Sequence, residues 1–201
     1  MSDSWERVVA AEAAARAELS RVPTWLWDGQ TLPVPVETIA DSHYGLLVEE
    51  APALASRVPL AGDVHLSGLL YPQDRVILID ADEAARAPGR RRFTITHELG
   101  HWVLHCADTD AETVWCRDTT VASQPTGDPS VLLTYPTQEL EANAFAAALL
   151  MPRELLVAQD RPESTDAEYR LAERLSVSRE ALLRRYWVLD RVEPGSDTAP
   201  G

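Results

Sequence analysis

The segment His97-Glu98-Leu99-Gly100-His101 combines residue types and a spacing that suit a catalytic metal ion. Because residues four apart lie on one face of a helix, both imidazoles can bind the same ion. Glu98 projects beside that face, where its carboxylate can take a proton from a water molecule that zinc has acidified. Gly100 leaves room for another element to pack closely. The segment therefore predicts His97 and His101 as zinc ligands and Glu98 as a general base.

A catalytic zinc site needs a third protein ligand and an open fourth position. A helix predicted over 136–151 offers Glu139 and Glu141, which point to different sides because a helix turns by about 100° per residue. We favour Glu139 as the ligand. Asn143, four residues further on, is placed to support that ligand without binding the metal. His105 lies one turn beyond the motif, about 6 Å along the helix axis, and is expected to be a supporting or core residue.

The elements around the motif can be predicted from periodicity and turn residues. A helical pattern over 91–106 carries the motif, and Ala87-Pro88-Gly89 is expected to break the chain before it. Two β-prone runs, Leu66–Tyr71 and Val76–Asp80, flank turn residues and predict a hairpin, which could offer an edge strand to an extended peptide. Residues 107–134 lack periodicity and predict a long loop.

Further elements are expected on either side of this region. The pattern predicts helices over 3–20, 36–42, 165–175 and 178–190, and a short strand over 45–49. Thr165-Asp166-Ala167-Glu168 has the form of a capping box. Ser176-Val177-Ser178 joins the last two helices in a way that resembles a helix-turn-helix. Residues 165–191 hold six Arg and five acidic residues, a weak charge for DNA binding, so we favour a helical cap; Arg184 and Arg185 keep the DNA-binding alternative open.

Two segments of this sequence resemble the ImmA/IrrE family of zinc metallopeptidases: RRFTITHELGHWVLH (91–105) and ELEANAFAAALLMP (139–152). The segment 171–185 is similar to the helical tail of that family, and the resemblance covers roughly 32–190. It implies an α+β fold with a zincin-like, thermolysin-like core, a small β-sheet and a motif helix, followed by helices that resemble a helix-turn-helix.

The same resemblance implies an activity. One Zn²⁺ would be held by His97, His101 and Glu139, with Glu98 as the catalytic base. The enzyme would be a zinc-dependent endopeptidase of limited specificity that cleaves a helix-turn-helix repressor and so relieves repression, in a stress response or when a mobile element is induced. The alternative is a zinc-containing protein that sequesters a repressor or an antitoxin-like partner without cutting it. Other divalent metals can occupy similar ligand sets.

Composition and charge narrow the class of protein. With 45% apolar and 25% charged residues, a folded chain is expected. We divide the chain into a metallopeptidase domain (1–152), a helical region (153–191) and a disordered tail (192–201). The net charge of −14 argues against non-specific binding to nucleic acid or to an anionic membrane. No apolar run reaches about 18 residues, so no transmembrane helix is expected. Two cysteines are too few for a disulfide framework, which favours the cytoplasm.

Several other side chains could take part in the site or serve only in packing. Cys116 could pack as a loop anchor, approach the zinc ion, or form a redox pair with Cys106. The run Arg90-Arg91-Arg92 could form surface ion pairs or dock an acidic stretch of substrate. Tyr71 or Tyr135 could stabilise an oxyanion.

Overall fold

The computed structural model describes residues 3–57, 66–106, 115–118 and 136–192. The loop expected over 107–134 therefore falls outside these ranges apart from 115–118, and the expected tail falls outside them apart from Val192. The helices are α1 (Asp3–Arg21), α2 (Val36–Thr38), α3 (Ala81–Arg86), α4 (Pro88–His105), α5 (Thr137–Leu150), α6 (Arg153–Val157), α7 (Thr165–Leu175) and α8 (Arg179–Leu189). A π-helical turn, Ile39–His43, follows α2, and a 3₁₀ turn covers Leu54–Arg57. The strands are β1 (Leu47–Ala51), β2 (Leu66–Tyr71), β3 (Val76–Asp80) and β4 (Trp115–Asp118). The fold is thus of the α+β type.

The strands form one sheet in the order β1-β3-β2-β4. β2 and β3 make the hairpin that the sequence predicts, with Tyr71 opposite Val76 and Gly68 opposite Ile79. β1 runs parallel to β3, and β4 runs antiparallel to β2. The expectation that the hairpin has an exposed edge is wrong, because both of its strands are paired on both sides; the edge strands are β1 and β4.

β4 corrects the prediction that the whole of 107–134 is a loop. Its four residues pair with β2, and the register shifts between Leu66 and Gly68. A run of this length is too short to show the alternation of apolar and polar residues that predicts a strand. Its strand conformation comes from the unpaired edge of β2, whose buried N–H and C=O groups need hydrogen-bond partners.

The hairpin is buried on both faces, which explains why its two sequences are largely apolar. Leu70 and Ile77 belong to the main core together with Ile95 of α4. Leu69 and Leu78 belong to a smaller cluster on the opposite face. The hairpin is therefore a rigid platform on which the motif helix packs.

The motif helix begins earlier than expected. Ala87-Pro88-Gly89 separates α3 from α4 at Ala87 alone. Pro88 already occupies the start of α4, where its missing N–H costs no hydrogen bond. The sequence analysis also missed α3, which is only six residues long. The side chain of Asp80 caps α3 by accepting a hydrogen bond from the backbone N–H of Glu83 at 2.9 Å.

α1 packs along α5 and reaches α8. Its buried residues, Trp5, Val8, Ala11 and Ala15, recur every three or four positions and so form one face. Trp5 and Val8 share a cluster with Leu140 of α5. The rings of Trp5 and Trp187 meet edge to face with centroids 6.2 Å apart.

The last two helices are joined by a short turn, as predicted, and Ser178 caps α8. The cap of α7 is Ser164, not Thr165: the Ser164 hydroxyl accepts the bond from the backbone N–H of Ala167. The expected capping residue Glu168 instead forms an ion pair with Arg179 at 2.6 Å.

Arg185 is buried, which removes it from the DNA-binding alternative. Its guanidinium contacts the carboxylate of Glu12 on α1, and its Nε donates to the carbonyl oxygen of Met151 at 3.0 Å. A guanidinium with these partners is not available to a phosphate backbone. It ties α8 to α1 and to the end of α5.

Candidate metal centre

α4 and α5 bring the three expected ligands together. The Nε2 atoms of His97 and His101 are 3.0 Å apart. Nε2 of His97 lies 3.3 Å from Oε2 of Glu139, and Nε2 of His101 lies 3.1 Å from Oε1. Both imidazoles are fully buried, and the Glu139 side chain is 29% exposed. One donor atom from each residue therefore lies within 4.8 Å of the other two, close enough for one ion.

A glycine lets the two helices approach. A Cβ on Gly100 would lie 3.2 Å from both the Cα and the carbonyl oxygen of Ala142, and 3.2 Å from the ring of Phe145. Such a contact is tight, and most of it is with backbone, which cannot turn away. The room that Gly100 was expected to leave is thus occupied by α5, which carries Glu139.

A chain of hydrogen bonds selects one tautomer of His101. The carboxylate of Glu141 can only accept, so His105 donates to it from Nε2 at 2.9 Å. Nδ1 of a neutral His105 is then an acceptor, and Nδ1–H of His101 donates to it at 3.0 Å. Burial lowers the pKa of His105 despite the opposing effect of Glu141, which favours this neutral ring. Nε2 of His101 consequently presents a lone pair to the site.

Asn143 has the same effect on the first histidine of the motif. Its Oδ1 lies 3.1 Å from Nδ1 of His97, so that nitrogen carries the proton and Nε2 carries the lone pair. The sequence analysis expected Asn143 to support Glu139, four residues away on the same helix. The contact is instead across the interface, with the imidazole.

The third donor is the carboxylate of Glu139. With these tautomers the three residues would offer a cation two imidazole lone pairs and one carboxylate. This is the donor set of many catalytic zinc sites.

Glu98 is also buried, and its carboxylate lies against β2. A Cβ on Gly68 would stand 2.8 Å from Oε1 of Glu98 and 2.5 Å from Cγ2 of Thr94. Only a glycine at this position leaves space for both side chains. The sequence analysis missed Gly68, although a glycine inside an apolar strand is a recognised sign of close approach.

A family comparison bears on this arrangement. The model of the IrrE N-terminal-like domain (Peptidase_M78) matches residues 43–186. The chain belongs to the ImmA/IrrE family of metallopeptidases. Among curated proteins, no sequence matches this one.

The family match includes all three candidate ligands, Glu98, and the two supporting residues His105 and Asn143. It starts at residue 43, so α1 lies outside it. Within the ranges that the structure describes, none of the helices of this ImmA/IrrE peptidase has the length and apolar character needed to cross a membrane.

Sequence reasoning missed two residues whose side chains connect to this group of candidate ligands through hydrogen bonds. The sequence analysis did not favour Glu141 as a ligand. Both oxygens of its carboxylate accept hydrogen bonds, one from His105 and the other from Arg7, the latter at 2.8 Å. The helical spacing places Glu141 away from Glu139 but does not say what it contacts. No local pattern indicates that Arg7 contacts Glu141, because the two residues lie 134 positions apart.

The arginine run forms ion pairs within the peptidase itself. Arg91 contacts Glu37 at 2.6 Å and Glu50 at 2.7 Å, and these carboxylates raise the pKa of its guanidinium above the ordinary value. Arg92 donates to the carbonyl oxygen of Val34 at 2.8 Å. These contacts favour the ion-pair interpretation over docking of an acidic substrate.

The other candidate side chains have different outcomes. Tyr71 packs with Leu69 and Leu78, on the sheet face opposite the one that Glu98 contacts. Cys106 follows α4, and its backbone N–H donates to a carbonyl of that helix. Tyr135 and the Cys116 side chain lie outside the described residues, so the proposals made for them remain predictions.

Proposed function

We propose that this protein is a zinc-dependent endopeptidase of limited specificity with a zincin-like core. The observation that carries the proposal is the convergence of three candidate donor residues from α4 and α5, with the buried carboxylate of Glu98 next to His97 on α4. His97, His101 and Glu139 would hold the ion, and Glu98 would act on the attacking water.

The donor set fits zinc. Two neutral imidazoles and one carboxylate leave a fourth position open for water or substrate. A bound zinc ion would supply Lewis-acid polarisation of a peptide carbonyl and would make a nearby water molecule more acidic. Manganese, iron and cobalt are the alternatives for such ligands.

The protein residues would have separate tasks. The carboxylate of Glu98 would accept a proton from the attacking water and then donate it to the leaving amine. Gly68 would leave room for that carboxylate. His105 and Asn143 would orient the two imidazoles from behind, so that both Nε2 atoms stay directed at the ion.

We further propose that the substrate is a helix-turn-helix repressor, whose cleavage relieves repression in a stress response or when a mobile element is induced. This part rests on the resemblance to the ImmA/IrrE family. A repressor acts on cytoplasmic DNA, so the proposal includes a cytoplasmic location. Direct binding to nucleic acid is no part of it, in line with the net charge of −14 and the burial of Arg185.

The test compares new protein N-termini by mass spectrometry in host cells that express the wild type or Glu98→Ala, with and without DNA damage. A new terminus that requires Glu98, inside a helix-turn-helix repressor, supports the proposal and identifies the substrate. A Glu98-dependent terminus in an unrelated protein would keep the peptidase and reject the repressor. Repression that is relieved equally by both proteins, with no Glu98-dependent terminus, would favour sequestration without cleavage.

A further inference from the structure

A continuous line of polar contacts runs from α1 to the metal centre. Nη1 of Arg7 donates to Oε1 of Glu141 at 2.8 Å, and Nε2 of His105 donates to Oε2 at 2.9 Å. Nδ1 of His105 lies 3.0 Å from Nδ1 of His101. The side chains come from α1, α5 and α4 in turn, so three helices meet in this line.

The carboxylate of Glu141 has partners on both of its oxygens. It cannot rotate without losing either Arg7 or His105. Its side chain is 19% exposed, against 40% for Arg7, so the arginine covers the outer end of the line.

Arg7 is itself held in place. Its Nε contacts Asp3 at 3.1 Å, one turn earlier on α1. On the same stretch of helix, Trp5 and Val8 pack against Leu140, the residue next to Glu141. The guanidinium therefore projects from a helix segment that is fixed by apolar contacts to the helix it serves.

We propose that Arg7 is a positioning residue of the metal centre, so that α1 forms a working part of the zinc site although it lies outside the matched family segment. Arg7 holds Glu141, which sets the tautomer and orientation of His105, which in turn directs Nε2 of His101 at the ion. The inference rests on the proposed zinc site and adds α1 to the elements that form it. Removal of a residue that hydrogen-bonds to a metal ligand typically lowers metal affinity by about 10- to 100-fold.

The test measures zinc affinity by competition with a chelator, on the full chain. Arg7→Met keeps the apolar stem and removes the donors, and we expect zinc binding about tenfold weaker. Arg7→Lys keeps a point charge and should recover part of the affinity. Arg16→Met is the matched control, because it breaks a comparable α1 ion pair, with Glu154 at 2.9 Å, away from the metal centre.

A second readout separates positioning from a general loss of stability. With cobalt in place of zinc, the visible absorption spectrum reports ligand geometry. We expect Arg7→Met to shift that spectrum and Arg16→Met to leave it as in the wild type. Glu141→Gln, whose amide can accept from only one of Arg7 and His105, should weaken zinc affinity at least as much as Arg7→Met.

Each outcome is decisive. Arg7→Met with wild-type zinc affinity and cobalt spectrum would overturn the positioning role and leave the proposed peptidase intact. Equal weakening in Arg16→Met would also overturn it, since the effect would then belong to α1 docking in general. A wild-type protein that binds no stoichiometric zinc would overturn the proposed function, and the inference with it.

Discussion

Ionisable side chains are buried in two contrasting places, between α4 and α5 and at the meeting of α8 with α1. In the first, His97, His101 and Glu139 direct lone pairs at one point. In the second, the guanidinium of Arg185 faces the carboxylate of Glu12. Burial lowers the pKa of Arg185, and Glu12 opposes that effect.

The difference lies in what completes each cluster. Arg185 has a partner of opposite charge and a backbone acceptor, so the protein satisfies it internally. The candidate metal centre gathers groups that can accept, whose mutual repulsion a bound cation would relieve. Burial of charge is thus not itself the mark of a functional site; the mark is the chemistry of the groups that are brought together.

The largest expected effect tests the metal centre. Glu98→Ala should lower the rate of cleavage by about 10²- to 10⁴-fold and retain zinc, because it removes the base and no ligand. His101→Ala should lose both zinc and cleavage. Metal analysis and a peptidase assay on the same preparations check this. Full cleavage by Glu98→Ala would contradict the assigned base.

The Arg185 cluster should respond in stability and not in chemistry. Glu12→Ala leaves Arg185 buried without its counter-charge, and we expect a loss of about 3–5 kcal/mol in the free energy of unfolding. Denaturant unfolding measures the loss.

The control for this cluster is the double variant Glu12→Leu with Arg185→Met. It replaces both charges by apolar groups and should recover most of the stability. Zinc content should remain as in the wild type in both proteins. If Glu12→Ala lost zinc and the double variant did not, the two clusters would be coupled and the contrast between them would not hold.

The sequence predicts the metal centre better than its surroundings. The spacing of His97 and His101 is local, and so is the helical pattern that carries Glu139; the structure brings the three together. The hairpin is confirmed because apolar runs and turn residues are also local. Arg7, Glu12 and β4 could not be predicted, because their roles depend on partners far along the chain or on an unpaired strand edge.

Gly68 offers a smaller perturbation of the metal centre. Gly68→Ala pushes a Cβ against Thr94 and the carboxylate of Glu98, so we expect a loss of about 1–3 kcal/mol in stability. Cleavage should fall more than zinc affinity, because the base moves and the ligands do not. Gly100→Ala is the counterpart, since it separates α4 from α5 and should weaken zinc binding. Equal loss of zinc affinity in Gly68→Ala and Gly100→Ala would show that Gly68 does not act on Glu98 alone.

The smallest effect concerns an exposed ion pair. Hydrogen bonds from Arg91 lower the pKa of Glu37 below its ordinary value of 4.5, against the opposing effect of burial. A carboxyl group with a lowered folded-state pKa stabilises the fold above its unfolded pKa and loses that contribution as the pH falls through the folded value.

Glu37→Gln should therefore cost less than about 1 kcal/mol at neutral pH, because the Glu37 side chain is 49% exposed. The difference from the wild type should shrink as the pH falls below the ordinary pKa of the carboxyl group. Urea unfolding at neutral and at acidic pH measures it. A difference that persists in acid would show that the pair does not act through its charge.

The division of the donors between α4 and α5 has a consequence for the lifetime of the protein. An ion held from two helices binds only the folded chain, so it acts as a removable cross-link. At free zinc about 100 times the dissociation constant, this linkage would add about 2.7 kcal/mol to the free energy of unfolding. Resistance to cellular degradation would then follow metal supply, and the midpoint of thermal unfolding, measured against buffered zinc, should rise in step.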